Sequence, residues 1–373
     1  MDNQIRVALI GFGGMGQIYA KLIRAGMVPE LKLAGVCCRN EAGQKLLEKE
    51  FPGVVVYPDQ RAMEAAATDY DAVIIVTPHS VHVEQGLAFA ALGKHILMDK
   101  PAGIDAGSVE QLVAYCEEKQ VSFGMIFQNR QLPVFQKAKQ MLAEGALGQL
   151  QRAVWICNNW YRSPAYHRSA TWRSSWNGEG GGLMINQNPH YVDLWNWLFG
   201  MPDRVWADMG FGRYNDFLVD DAADIQFSYD NGFHGTMVSA TGEAPGVNRL
   251  EIWGTKGRLT ILENARLLLD ENQVSIQEFA AANQEKFAGI PHEEREIPVS
   301  APGIPYVDVL RNFGAHLISG APLIASGKDG LREVQLANAV YVSGWEEKRV
   351  PVPVEEARYL TGLKQRREEE NKA

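Results

Sequence analysis

The hexapeptide Gly11-Phe12-Gly13-Gly14-Met15-Gly16 constrains this chain more than any other stretch. It matches G-x-G-x-x-G, a pattern that is weak alone and specific only between a strand and a helix. Here the apolar run IRVALI (Ile5 to Ile10) precedes it, and a helical pattern from Gln17 to Ala25 follows. A second apolar run, LKLAGVCC (Leu31 to Cys38), comes next. In such a unit the first glycine permits a tight turn, and the second lets backbone approach a pyrophosphate. The third lets helix and strand pack closely, while the helix N-terminus favours phosphate charge. Gly11, Phe12, Gly13, Gly14, Met15 and Gly16 are therefore expected to cradle a dinucleotide.

The tip of the second strand ordinarily selects the cofactor. NAD sites place Asp or Glu there, to bind the ribose 2′-hydroxyl. This chain has Cys38, Arg39 and Asn40 instead, with no carboxylate. A guanidinium fork suits a 2′-phosphate, so NADP is favoured over NAD, with these three residues at the ribose.

The pattern continues with helices at Glu41 to Glu50 and Arg61 to Ala67, then a doubly buried strand in DAVIIVTP (Asp71 to Pro78). A helix over Val83 to Leu92, a strand in HILMDKP, a helix over Ser108 to Lys119 and a strand in VSFGMIF complete it. This alternation indicates an α/β fold whose N-terminal part is a Rossmann doubly wound parallel sheet. Near Asn129 the character changes. After a helix ending around Glu144, longer alternating segments (QRAVWICNNW, RVWADMGFGRY, AADIQFSY, HGTMVSATG) follow, with a hairpin turn at Tyr229 to Gly232. They indicate a C-terminal α+β domain with an open, mostly antiparallel sheet. A late helix is expected over Leu331 to Glu347, and the terminal KQRREEENKA reads as a frayed, solvated tail. The expected division is a dinucleotide-binding domain over 1–128 and a substrate-binding and oligomerisation domain over 129–373.

Composition narrows the function classes. The chain has 373 residues, more than one core normally serves, and its 46% hydrophobic and 22% charged content is ordinary for globular proteins. Its net charge of −9 lacks the basic footprint of nucleic-acid binding. No apolar run reaches bilayer length, and the early first strand leaves no room for a signal peptide. Cys37, Cys38, Cys116 and Cys157 lack C-x-x-C spacing and read as free thiols. A cytoplasmic protein with no membrane or nucleic-acid partner is expected.

Lys100 closes a buried strand at the sheet edge where ligands of open parallel sheets bind. Taken with it, three ordered motifs resemble the Gfo/Idh/MocA oxidoreductases, the group of glucose–fructose oxidoreductase and inositol dehydrogenase. They are GFGGMG, then TPHSVHVEQGLAFAALGKHILMDKP, where the family ends in Glu-Lys-Pro, and GEGGGLMINQNPHYVDLWNWLFG, where the family has Asp-x-x-x-His-x-x-Asp. Asn129-Arg130 and TGEAPGVNRLEIWGTKGRL are also similar. The resemblance covers nearly the whole chain. It implies hydride exchange between nicotinamide and a ring carbinol or ketone of a sugar, glycoside or inositol. By position, Lys100 and His190 would be the catalytic pair, and Thr77, Pro78, His82 and Asp99 would line the cofactor with Lys100. For His82 a packing role competes. A homodimer or homotetramer through the C-terminal sheet is also implied.

Such chemistry needs a base for the hydroxyl proton while hydride leaves. Lys100 would hold the substrate oxygen, and His190 would shuttle the proton. Asn186 stands where the family usually has Asp; it can orient the ring or the substrate but cannot raise the histidine pKa by charge. The helix carrying His190 begins either near Asn186 or with Asn188 as cap and Pro189 in first position. The segment NNWYRSPAYHRSATWRSSWNGEGGG interleaves aromatic residues with arginines, a composition that suits a polyhydroxylated ring. Tyr161, Arg162, Tyr166 and Trp172 are expected to bind substrate, with Gln128 and Asn129 from the last Rossmann strand. His167, Glu179 and His190 lack metal-ligand spacing, so no metal is expected. Two alternatives stay open: redox-assisted glycoside cleavage with an internally recycled cofactor, and a non-catalytic dinucleotide- and sugar-binding sensor.

Overall fold

The computed structural model describes residues 4–372; Met1 to Asn3, on which part of the expectation about a leader rests, and Ala373 lie outside them. The first stretch runs β1 (Ile5–Ile10), α1 (Gly14–Arg24), β2 (Leu31–Cys37), α2 (Glu41–Glu50), β3 (Val55–Tyr57), α3 (Gln60–Ala65), β4 (Ala72–Ile75), α4 (His82–Ala91), β5 (His95–Asp99), α5 (Ala106–Glu118) and β6 (Phe123–Ile126). Then come α6 (Pro133–Ala143), β7 (Leu150–Cys157), α7 (Pro164–His167), α8 (Leu183–Asn186), α9 (Pro189–Phe199), β8 (Arg204–Phe211), β9 (Asp220–Ser228) and β10 (His234–Ala240). The chain continues with β11 (Asn248–Gly254), β12 (Gly257–Leu262), β13 (Arg266–Asn272), α10 (Ile276–Ala282), β14 (His292–Ile297), α11 (Pro305–Ser319), α12 (Gly327–Glu346), β15 (Val350–Pro351) and α13 (Glu356–Glu370).

These elements form two compact units, and no single cut of the chain separates them. One unit holds the chain up to Gln128 with 178–180 and 304–334; the other holds 129–177, 181–303 and 335 onward.

In the first unit six strands pair in parallel in the order β3-β2-β1-β4-β5-β6, the order of a dinucleotide-binding sheet. Its switch point lies between β1 and β4. Side chains along β1 alternate between two cores: Ala8 and Ile10 in one, Val7 and Leu9 in the other. Burial on both faces is why the central strands read as unbroken apolar runs. Cys37 and Cys38 likewise go to opposite cores as free thiols. The edge strand β3, of three residues, was not legible because VVY is too short to show a period.

The second unit is built on a nine-stranded sheet in the order β14-β13-β12-β11-β7-β10-β9-β8-β15. All its pairs are antiparallel except β7 with β10, so the sheet is mostly antiparallel as expected. The turn at Tyr229 to Gly232 does join β9 to β10 as a hairpin.

The terminal segment departs from expectation. Its first residues continue the helix α13, which ends at Glu370. The Glu370 carboxylate accepts from the Trp176 N–H at 2.8 Å, the Asn177 N–H at 2.8 Å and the Asn177 amide at 2.7 Å. Arg367 Nε donates to the Trp176 carbonyl at 3.0 Å. The charges of Arg367 and Glu370 satisfy backbone groups of an irregular segment, so the tail up to Glu370 is ordered rather than frayed.

Candidate active site

Gly11 adopts φ +101°, and a Cβ there would lie 2.4 Å from the Val76 carbonyl oxygen. A Cβ at Gly16 would lie 2.1 Å from the Gly11 carbonyl oxygen. Both glycines are demanded by the chain's own contacts. At Gly13 a Cβ would meet no protein atom within 4 Å. Packing within the chain therefore does not explain Gly13, and the space beside it is open. Gly13 caps α1 without a side-chain bond, and the first turn holds no acidic residue. The N-terminal N–H groups and the positive end of the helix dipole are left for an anion. Phe12 is buried against Phe51, so it anchors the loop from below.

At the tip of β2, Cys38 is buried and its carbonyl accepts from Gln44 at 2.8 Å. Asn40 Oδ1 accepts from the Gly43 N–H at 2.6 Å and caps α2. Arg39 is exposed, and its side chain has no bonded partner among the described residues.

Around Lys100, the Thr77 hydroxyl donates to Gln85 at 2.6 Å, and Pro78 begins the turn into α4. His82 is fully buried, with Nε2 2.8 Å from the Thr77 carbonyl and Nδ1 2.8 Å from the Pro101 carbonyl. A neutral ring can donate to only one of them. Burial pushes the His82 pKa down, and the two carbonyls oppose that push. His82 lies between the chain after β4 and the chain after β5 and donates to one of the two carbonyls, a bracing role. Asp99 Oδ1 accepts from the Lys100 N–H at 2.9 Å, and burial holds this carboxyl above its ordinary range. Tyr306, at the start of α11, receives a bond from Gln128 Nε2 at 3.2 Å and packs on Tyr19 with ring centroids 5.6 Å apart. Tyr19 could be suspected from its place one turn after Gly16. Tyr306 carries no sequence signal linking it to Gln128, 178 residues away.

In the second unit His190 is buried near the start of α9. The helix begins as Asn188-Pro189 allows, with Pro189 in first position, and α8 ends separately at Asn186. Asn188 has helical dihedrals and does not cap through its side chain; its Oδ1 instead accepts from the Ser239 hydroxyl at 2.7 Å. Further along α9, Tyr191 OH accepts from Asn248 at 2.9 Å and Trp195 donates to Tyr229 at 2.9 Å. Asp193 accepts both prongs of Arg130, at 2.9 and 2.6 Å, in a buried ion pair. Four anchored residues thus fix the helix that carries His190. The turn before α8 is held by Asp220, which accepts from Gly182 N–H at 2.8 Å, Met184 N–H at 2.7 Å and Tyr341 OH at 2.7 Å. Burial pushes the Asp220 pKa up, against these three donors, which require the carboxylate.

The Trp160 ring lies 5.6 Å from His190, and its Nε1 donates to Tyr191 OH at 2.5 Å. The Tyr166 hydroxyl lies 3.4 Å from Asn186 Oδ1 and receives Arg173 NH1 at 2.9 Å. Arg162 and Trp172 stack into the same cluster through Tyr166 and Arg173. Tyr161 joins it only through its carbonyl, which accepts from Arg162 at 3.2 Å, and is 54% exposed; Asn129 closes a turn to Leu132. Trp176 is core, packed on Phe211, Tyr341 and Trp345. Arg130 and Asp193 stand in motifs that carry the resemblance, but their pairing, like that of Asp220 with Tyr341, was not legible, since each partner is distant in sequence. Among the described residues no group of His, Cys, Asp or Glu is arranged for a metal ion, and no helix is long and apolar enough to cross a membrane.

Residues 5–127 match the model of an oxidoreductase family with an NAD-binding Rossmann fold, GFO/IDH/MocA, and residues 135–260 match the GFO/IDH/MocA C-terminal domain. The chain is 24% identical over 361 residues to scyllo-inositol 2-dehydrogenase (NADP(+)) IolW of Bacillus subtilis, covering 93% of this chain and 96% of that protein. It is 26% identical to levoglucosan dehydrogenase of Pseudarthrobacter phenanthrenivorans, covering 95% and 99%. The solved WlbA dehydrogenase of Bordetella pertussis, in complex with NADH and UDP-GlcNAcA, superposes with a TM-score of 0.79 at 23% identity, over 94% of this chain and all of that one (100%).

Proposed function

The chain belongs to the Gfo/Idh/MocA oxidoreductase family, and from that premise we propose that it moves a hydride between a nicotinamide cofactor and a ring carbinol or ketone of a sugar, glycoside or inositol. The observation that supports this most directly is the glycine loop, where Gly11 and Gly16 answer to the fold while Gly13 answers to nothing in the protein. When bound, nicotinamide supplies the hydride acceptor or donor. Backbone N–H groups at the start of α1 hold the cofactor's pyrophosphate. Lys100, its backbone held by Asp99 at the carboxyl end of β5, orients the substrate oxygen and stabilises negative charge on it. His190 takes the hydroxyl proton in oxidation and returns it in reduction. Asn186, bonded to Tyr166, positions the substrate without adding charge.

NADP is the preferred cofactor in this reading. The tip of β2 offers no carboxylate, Asn40 is occupied as a helix cap, and Arg39 is left for a 2′-phosphate.

Nicotinamide absorbance, followed across sugars, keto-sugars and inositols with each cofactor, tests the proposal. The expected outcome is turnover of at least one ring substrate, lost on Lys100→Met or His190→Ala by about two orders of magnitude or more. Arg39→Asp should raise the KM for NADP about tenfold or more and not that for NAD. Sugar binding with no turnover under any condition would replace this reading by the sensor. Substrate cleavage with no net nicotinamide change would replace it by redox-assisted cleavage.

A further inference from the structure

Between Leu150 and Gly178 the chain carries four arginines and no aspartate or glutamate, in a protein of formal net charge −9. Two of these arginines converge on one ring. The guanidinium carbons of Arg162 and Arg173 lie 5.1 and 4.7 Å from the Tyr166 centroid. Arg162 also lies 5.4 Å from the Trp160 ring, and Arg173 lies 4.6 Å from that of Trp172. Their polar partners are neutral: Arg173 donates to the Tyr166 hydroxyl at 2.9 Å, and Arg162 to the Tyr161 carbonyl at 3.2 Å. Nε of each is buried with no hydrogen-bond partner among the described residues.

The carboxylate whose charge reaches the neighbouring His167 is Asp221. Its oxygens already accept from Arg213 N–H at 2.9 Å, Tyr214 N–H at 2.8 Å and Asn215 at 3.1 Å. Two half-buried guanidiniums sharing a ring repel one another and are partly desolvated, a cost that an anion between them offsets. Aromatic stacking fixes their planes, which preorganises the fork for a carboxylate or phosphate. The cluster also touches the candidate catalytic segment, through Tyr166 to Asn186 and Gln187 at 3.4 Å each, and through Trp160 to His190 at 5.6 Å.

We propose that Arg162 and Arg173 bind an anionic group on the substrate, a carboxylate or a phosphate, so that the substrate is an acidic sugar derivative rather than a neutral polyol. That the bound acidic sugar is turned over rests on the function proposed above; its binding does not. Asn186 fits the same design. An aspartate there would set a negative charge beside the Tyr166 hydroxyl that Arg173 serves, repelling the anion and competing for the cation.

Isothermal titration of the full chain with D-glucuronate and with D-glucose isolates one carboxylate; inorganic phosphate and NADP form the other arms. D-glucuronate should bind about tenfold or more tighter than D-glucose. The Arg162→Gln, Arg173→Gln double variant should lose that preference while its NADP affinity stays within about twofold. Asn186→Asp, which leaves both arginines in place, should cut the preference several-fold and serves should the double variant not fold. Equal affinity for D-glucuronate and D-glucose overturns the proposal. So does a double variant that keeps the preference and loses NADP, which assigns the arginines to cofactor phosphate. Tight D-glucuronate binding together with no nicotinamide turnover of any ring substrate retires the redox reading and upholds this one.

Discussion

At the scale of single residues, the glycine loop separates two demands that a sequence pattern merges. A Cβ at Gly16 collides with the Gly11 carbonyl at 2.1 Å, whereas at Gly13 it meets open space. Gly16→Ala is therefore expected to cost about 1–3 kcal/mol of stability, because backbone must move to admit the methyl. Gly13→Ser should leave stability unchanged or slightly higher, since serine is a good helix cap, yet weaken cofactor binding about tenfold or more. Urea denaturation and cofactor titration on the same two variants check this; equal stability losses would remove the argument for a ligand at Gly13. Histidine 82 shows the limit of reading residues one by one. Its two carbonyl partners lie at 2.8 Å each on segments that only the folded sheet brings together.

At the scale of elements, α9 is the part of the site that tertiary contacts fix most firmly. Its near-total burial made its apolar character legible, and Pro189 marked its start. What holds it was not legible. Arg130 and Asp193 form a buried bidentate pair 63 residues apart, and Arg130 also stacks 5.7 Å from the Trp197 ring. Asp193→Asn should cost about 3–5 kcal/mol, since it leaves a buried guanidinium uncompensated. Replacing both partners, by Arg130→Met with Asp193→Leu, should cost less than the single change. Chemical denaturation of the three variants measures this, and an additive double variant would show that the pair is not a unit. The short turn α8 depends in the same way on Asp220, whose donors come from Gly182, Met184 and Tyr341.

At the scale of the molecule, pH acts through groups whose burial changes on folding. His95 Nδ1 accepts the Ser122 N–H at 3.0 Å, which requires a neutral ring, and burial lowers its pKa from the ordinary 6.5. The unfolded chain therefore binds a proton that the folded one refuses. This contribution to stability is full above pH 6.5 and is lost as pH falls through 6.5 toward the depressed value. The slope is at most about 1.4 kcal/mol per pH unit for this group. His95→Gln should flatten the fall in unfolding free energy between pH 7.5 and 5.5, roughly the window in which the unfolded imidazole titrates. An unchanged slope in the variant would assign the acid sensitivity to other groups.

The sequence alone determined the parallel α/β half, the mostly antiparallel second sheet and the place of the glycine loop between β1 and α1. These follow from short-range causes: the period of apolar residues, the dihedrals glycine allows, and the orphan N–H groups at a helix start. Only the tertiary structure decided that Gly13 is free of packing demands, that the charged terminus caps the Trp176–Asn177 backbone, and that Arg162 and Arg173 share the Tyr166 ring. It also decided which buried charges are paired, as Arg130 reaches Asp193 across 63 residues. Such pairings carry no local signature, because burial and charge compensation are properties of surfaces that meet only when the chain has folded.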